Sequence, residues 1–251
     1  MSGISGVGYQ PGISATTKDS SSDRCGVQAR SPAVSHATGI EHNGRVSAEE
    51  IVAAEELIVE PPAAARRLLG ATLRSGATAI RLVEVEAYGG DPAGPWPDPA
   101  SHSGRGRTRR NAVMFGPAGH LYVYLSYGMH TCINVTTGPD ETASAVLLRA
   151  GEVIEGVDLV RTRRPTARTD ADLARGPGNL GTALGITLTD YGTPLFAPDS
   201  PIRLELADPV PDEAIASGPR VGVSTAADRP WRFWLPSAPA ISTYRRSPRA
   251  R

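Results

Sequence analysis

Two periods alternate along the chain, and the switches between them mark its elements. Ser47 and Glu50 have the spacing of a capping box ahead of a helix over 47–57. Pro61 and Pro62 then open a second helix, 63–69, which Gly70 ends. From 79 to 88 the period shortens to two. Ile80, Leu82, Glu84, Glu86 and Tyr88 fall on one face of a strand, and that face begins apolar and ends in two carboxylates and a tyrosine. Residues 89–99 are rich in Gly, Pro and Asp and form a loop. Strands follow over 121–127 and 130–136, with Gly128 between them, the pattern of a hairpin. A third strand covers 144–150. Val153, Val157 and Val160 then place a helix over 152–164, and a short helix over 179–185 follows the Gly176-Pro177-Gly178 turn. Short strands at 202–206, 220–223 and 231–235 complete the chain. There is no internal repeat, so residues 49–251 read as one mixed α+β domain.

Composition changes this picture at the N-terminus. Residues 1–48 are rich in Ser, Gly, Thr and Ala and poor in large apolar side chains. Such a segment buries too little surface to offset chain entropy, and it reads as a disordered leader or a misassigned start. The first residues lack a basic start followed by an apolar run, so they are no secretory signal. No apolar run reaches the length of a membrane span. The expected location is the cytoplasm, beside the nucleoid in a bacterium, with no membrane partner.

Charge and cysteines narrow the chemistry. Cys25 and Cys132 are the only cysteines, which gives neither a disulfide framework nor a thiolate metal site. The five histidines lack metal-ligand spacing, so neither metal nor cofactor is expected. The 26 basic residues balance 26 acidic ones, a mild argument against nucleic-acid binding. Their distribution matters more than their sum. Arg105, Arg107, Arg109 and Arg110 form one basic cluster; Arg161, Arg163, Arg164 and Arg168 form another; Arg245, Arg246, Arg249 and Arg251 form a third. A solvated face is the commoner meaning of any one such cluster, but the first lies beside the carboxylate strand. Tyr88, Tyr122, Tyr124 and Tyr127 crowd into the same region. Tyrosines on strands usually pack in cores, yet aromatic faces near arginines also stack bases.

The combination resembles the alkyladenine (3-methyladenine) DNA glycosylase family. The resemblance runs in order from about 52 to 244. It is carried by Val85-Glu86-Ala87-Tyr88, Ala100-Ser101-His102-Ser103, Arg107-Thr108-Arg109-Arg110-Asn111, Met114-Phe115-Gly116-Pro117, the hairpin Leu121 to His130, Asn134-Val135, Val146-Leu147-Leu148-Arg149-Ala150, Ala174-Arg175-Gly176-Pro177-Gly178-Asn179-Leu180 and Pro219-Arg220-Val221-Gly222-Val223. It implies a curved, mainly antiparallel, barrel-like sheet with a protruding β-hairpin and surrounding helices. It also implies roles. Glu86 matches the glutamate that activates water, and Arg149 an arginine that helps hold that water. Tyr88, His102, Tyr124 and Asn134 match the pocket for a flipped base. Tyr127, with Met129 beside it, matches the wedge entering the minor groove. Phosphate contacts are expected from Arg105, Arg107, Arg109 and Arg110 and from the turn at Gly176 and Gly178. The partner is double-stranded DNA with damaged purines, and a monomer is expected.

The implied chemistry is coherent. A stacked base shields its glycosidic bond, so the nucleotide is extruded and a side chain fills the gap. Alkylated purines are cationic and favour tyrosine faces. A carboxylate stabilises an oxocarbenium-like sugar and serves as a general base. Glycosylases that also nick DNA form a Schiff base with an amine. Lys18 is the only lysine, so base release without strand cleavage is expected. The chain departs from the family in a longer 89–99 loop, in His130 where a larger aromatic is common, and in Asn179 where many relatives carry lysine. A zinc base deaminase needs Pro-Cys-x-x-Cys, which is absent. A non-catalytic nucleic-acid-binding module and a small-molecule nucleosidase are the other readings. The first lacks a use for Glu86 with Arg149, the second for the Tyr127 wedge.

Overall fold

Helix α1 (Ala48–Glu55) opens the computed structural model, which describes residues 48–251. The expected leader and the Ser47 cap therefore lie outside the described residues. Helix α2 (Pro61–Leu68) starts on two prolines, whose fixed φ suits a first turn, and buries Ala64, Ala65 and Leu68. Gly70, at φ +82°, then turns the chain into strand β1 (Thr72–Ser75).

The sheet is built around β2 (Thr78–Tyr88) and β5 (Ala145–Glu155), two eleven-residue antiparallel strands. From Leu82 to Ala87 every β2 residue is buried, so both faces of this strand are covered. The remaining strands are β3 (Leu121–Ser126), β4 (His130–Thr136), β6 (Ile202–Glu205), β7 (Ala216–Gly218) and β8 (Arg232–Trp234). The main path runs β3-β4-β5-β2-β1-β6, and β8 pairs with both β2 and β7. Every pairing of named strands is antiparallel. Register shifts on β2 flank Glu84, between Leu82 and Val85. Such irregularities bend a sheet and re-aim side chains. Here they produce the curved sheet expected from the resemblance.

Helices α3 (Val157–Arg163), α4 (Asp170–Leu173) and α5 (Pro177–Leu184) follow β5. Helix α5 contributes buried Leu180, Ala183 and Leu184 and ends on Gly185 at φ +69°, whose N–H caps the last turn. Apolar side chains from both helical and sheet layers, among them Leu73, Leu82, Ile133, Leu148, Leu180 and Leu184, form one continuous core.

Four expected elements differ. The helix over 63–69 begins two residues earlier, at Pro61. The helix over 152–164 is a strand as far as Glu155, because Val153 pairs with Ile80 on β2; Gly156, at φ +73°, then breaks the ladder and α3 begins. The spacing of Val153, Val157 and Val160 therefore spans a strand end and a helix start. The helix over 179–185 begins two residues earlier, at Pro177. Residues 220–223 are no strand; the strand is the preceding β7, and in 221–223 the Val221 N–H bonds the Glu86 side chain and the Gly222 N–H the Arg245 carbonyl in place of a ladder.

Candidate active site

A cleft of about 690 Å³ opens where β2, β3, β4 and β5 approach the loops at 99–102 and 221–225. Glu86 and Arg149 lie in its floor, both buried. Glu86 Oε1 accepts the Val221 N–H at 2.7 Å and lies 3.2 Å from Arg149 Nη1; Oε2 accepts the Tyr88 hydroxyl at 2.8 Å. Three donors on two oxygens fix the carboxylate's orientation without using all its lone pairs. Burial, followed by the adjacent Glu86, pushes the Tyr88 phenol well above its usual value, so Tyr88 acts as a neutral donor.

Glu84 stands on the same strand face and has a different environment. Its Oε1 accepts Arg149 Nε at 2.9 Å, Arg232 Nε at 2.7 Å and the Ser242 hydroxyl at 2.8 Å, while Oε2 accepts the Ser242 N–H at 2.7 Å. It is fully buried and absent from the cleft wall. Arg149 thus bridges the two carboxylates, and the Coulombic attraction of Glu86 and Glu84 outweighs burial to hold its guanidinium charged. The two glutamates divide into one facing the cleft and one anchoring the arginine that orients it.

Aromatic rings form the walls. The His102 and Tyr124 rings meet edge to face at 4.5 Å, and Tyr122 and Tyr124 lie 5.6 Å apart at 31°. His102 Nδ1 lies 2.8 Å from the Tyr122 hydroxyl. Burial and then the Arg110 guanidinium keep His102 below its ordinary value, while burial raises Tyr122 to about 12. Neutral imidazole and phenol rings therefore face the cavity near neutral pH. Asn134 is buried in the same wall, its amide donating to the Tyr122 carbonyl at 3.1 Å.

Of the remaining expected site residues, Tyr127 lines the cleft, whereas Met129, Arg105, Arg107, Arg109, Arg110, Gly176 and Gly178 do not. Tyr127 lines the cleft mouth and is 92% exposed at the hairpin tip, with Met129 exposed beside it. Tyr127 and Gly128 both have positive φ, +51° and +69°, and the Met129 N–H closes the turn onto Ser126 O. Arg105, Arg107, Arg109 and Arg110 are exposed. Arg110 reaches over the Tyr124 ring at 5.6 Å, whereas Arg107 pairs with Glu141 at 3.1 Å. Pro177 at the start of α5 also lines the cleft. Of its neighbours, Gly176 faces open space, while a Cβ on Gly178 would sit 2.9 Å from His130 Cβ. Gly178 is thus required for packing against β4.

Sequence reasoning missed five contributors. Tyr122 is both wall and partner of His102. Val221 supplies a backbone donor, which no side-chain pattern reveals. Asp98 and Arg220 are both fully buried and pair bidentately at 2.6 and 3.0 Å, with Arg220 also donating to Ala87 O and covering the Tyr88 ring at 4.6 Å. The Pro219–Val223 block carried a signal for Arg220, but nothing in sequence linked it to Asp98. Cys132 lines the cleft as a buried thiol.

Comparison with known proteins identifies the family. A family model described as methylpurine-DNA glycosylase matches residues 56–239. A Nocardia farcinica protein named as a 3-methyladenine DNA glycosylase is 81% identical over 200 residues, covering 80% of this chain and 94% of its own. A Rhodococcus jostii protein of the same name is 65% identical over 191 residues, covering 76% and 84%, and one from Mycobacterium leprae is 59% identical over 199 residues, covering 79% and 92%. With the family match spanning well over half of its length, this chain belongs to the methylpurine-DNA glycosylase family and is a hydrolase of N-glycosyl bonds in DNA.

Proposed function

We propose that the protein is a monofunctional glycosylase that extrudes alkylated or deaminated purines from duplex DNA and hydrolyses their glycosidic bond with a water activated by Glu86. The observation carrying this reading is the Glu86 carboxylate in the floor of an aromatic cleft, oriented by Arg149, Tyr88 and the Val221 N–H. An extruded base enters between Tyr88, His102 and Tyr124, whose π faces attract a cationic alkylpurine. Asn134 reads the base edge. Tyr127, aided by Met129, fills the gap left in the stack, offsetting an unstacking cost of a few kcal/mol. Arg105, Arg107, Arg109, Arg110 and the backbone at Gly176 and Gly178 hold phosphates.

As the bond lengthens, positive charge grows on the sugar. Glu86 stabilises it and takes a proton from the attacking water, while Arg149 holds the carboxylate in place. With Lys18 as the only lysine, no amine of residues 19–251 is available for a Schiff base, so the abasic product leaves with its backbone intact.

The test uses labelled duplexes carrying hypoxanthine, ethenoadenine or no lesion, with methylated DNA in parallel, each with and without hot alkali. Lesion-dependent breaks that require alkali are expected from the wild type. In Glu86→Gln they should fall by about 10²–10⁴-fold with lesion binding retained. Breaks without alkali would refute the monofunctional reading. Full activity in the variant would remove Glu86 from the chemistry.

A further inference from the structure

The third arginine cluster has no part in the scheme above, and its placement gives it one. Residues 243–251 return to the cleft after Ser242 has bonded Glu84. They are seated there by backbone hydrogen bonds: Gly222 N–H donates to Arg245 O at 3.0 Å, and Arg251 N–H donates to Ser224 O at 2.8 Å. Both acceptor and donor partners belong to the 221–225 loop that walls the cleft beside Glu86. Arg246 pins the segment further through Asp228 at 2.5 Å. The stretch 245–251 contains four arginines and no acidic residue, in a chain whose overall charge is zero. Arg245 lines the cleft, and Arg245, Arg249 and Arg251 are all exposed.

A basic segment needs no function, but this one is docked by its backbone on the 221–225 loop and places Arg245 in the cleft wall. It also lies beyond the residues, 56–239, that the family model matches. We propose that residues 245–251 are a second DNA-backbone clamp, in which Arg245, Arg249 and Arg251 bind phosphates flanking the extruded nucleotide. The ligand is the phosphodiester backbone, which the guanidinium groups of Arg245, Arg249 and Arg251 attract and which bidentate arginine contacts fix in register. Arg246 acts as the anchor, since its charge is matched by Asp228. The clamp rests on the reading of duplex DNA as substrate.

Binding of a hypoxanthine duplex is measured by fluorescence anisotropy between about 50 and 200 mM salt for wild type, Arg249→Ala/Arg251→Ala and the corresponding double lysine variant. Each lost phosphate contact makes the slope of log Kd against log salt shallower by about 0.9. The alanine variant should therefore lose about two units of slope and bind more weakly at low salt, and the lysine variant should recover most of both. An unchanged slope would overturn the clamp, whether or not affinity falls, because weakening without a change in ion release is a structural effect. Wild-type protein that fails to bind duplex at all would instead overturn the DNA reading and the clamp with it.

Discussion

Tyr127 occupies backbone space that tyrosine rarely adopts. Its φ of +51° belongs to the left-handed region, which costs a non-glycine residue about 1–2 kcal/mol. The hairpin turn itself uses that conformation, since Tyr127 and Gly128 are both left-handed and the Met129 N–H closes onto Ser126 O, but the tyrosine side chain is 92% exposed and packs against no core cluster among the described residues. A tyrosine, where glycine or asparagine suits such a turn better, is the feature that the proposed wedge role would account for. Tyr127→Gly is expected to leave stability unchanged or raise it by up to about 1 kcal/mol, while excision from duplex DNA falls tenfold or more. Thermal melting and single-turnover excision check the two halves. Lower stability with full activity would make Tyr127 a structural turn residue and remove the wedge. At this scale the sequence was informative where a side chain itself lines the cleft: Glu86, Tyr88, His102, Tyr124, Asn134 and Arg149 all reach it. It was silent on Val221, whose contribution is a peptide N–H, and on what separates Glu84 from Glu86 physically, since only the resemblance singled out Glu86. That separation depends on Arg232 and Ser242, which lie far along the chain and meet Glu84 only after folding.

Elements read well from sequence where one period ran its full length, as in the hairpin over 121–136, and poorly where tertiary contacts decided between periods. Val153 fits a helix by spacing, but β2 offers it a ladder partner and a buried neighbour, and the strand wins. Helix α5 shows a further constraint that periodicity cannot carry. An added Cβ at Gly181 would lie 2.3 Å from the Thr131 carbonyl oxygen, and one at Gly178 would press on His130. These glycines let α5 lie directly on the start of β4, one arm of the proposed wedge hairpin, and hold Pro177 in the cleft wall. Propensity alone predicts that Gly181→Ala stabilises a helix by about 0.8–1 kcal/mol. The contact is with backbone, which cannot swing aside, so overpacking by about 1–3 kcal/mol should prevail. A lower urea midpoint and reduced excision are expected together. A rise in midpoint would mean that α5 shifts freely, and that its close approach has no part in shaping the cleft.

Across the whole molecule, the Asp98–Arg220 pair joins segments more than a hundred residues apart. Asp98 also accepts the N–H groups of Gly89 and Ala100, so it organises the loop that delivers His102. Arg220 supports Tyr88 and immediately precedes Val221, so the pair holds both walls of the site around Glu86. The 89–99 loop was evident in sequence from its Gly, Pro and Asp content, but its order comes from this buried pair and from Arg229 bonding the Pro97 carbonyl. Burial opposes the charged form of Asp98, yet Arg220 and the two backbone donors overcome it and hold the carboxyl below its ordinary value. A carboxyl depressed by folding stabilises the native state above its unfolded pKa, near 3.9, and that stabilisation is lost as pH falls through the lower folded value. Asp98→Asn removes it at every pH and leaves Arg220 buried without a counter-charge, at a cost of about 3–5 kcal/mol near neutrality. Wild type and variant should therefore differ most at neutral pH and converge as the medium is acidified below about pH 4. Urea unfolding of both proteins across that range reads the difference directly. A gap that stays constant down to low pH would show that the charge on Asp98 contributes nothing, and that hydrogen-bond geometry alone holds the two loops around Glu86.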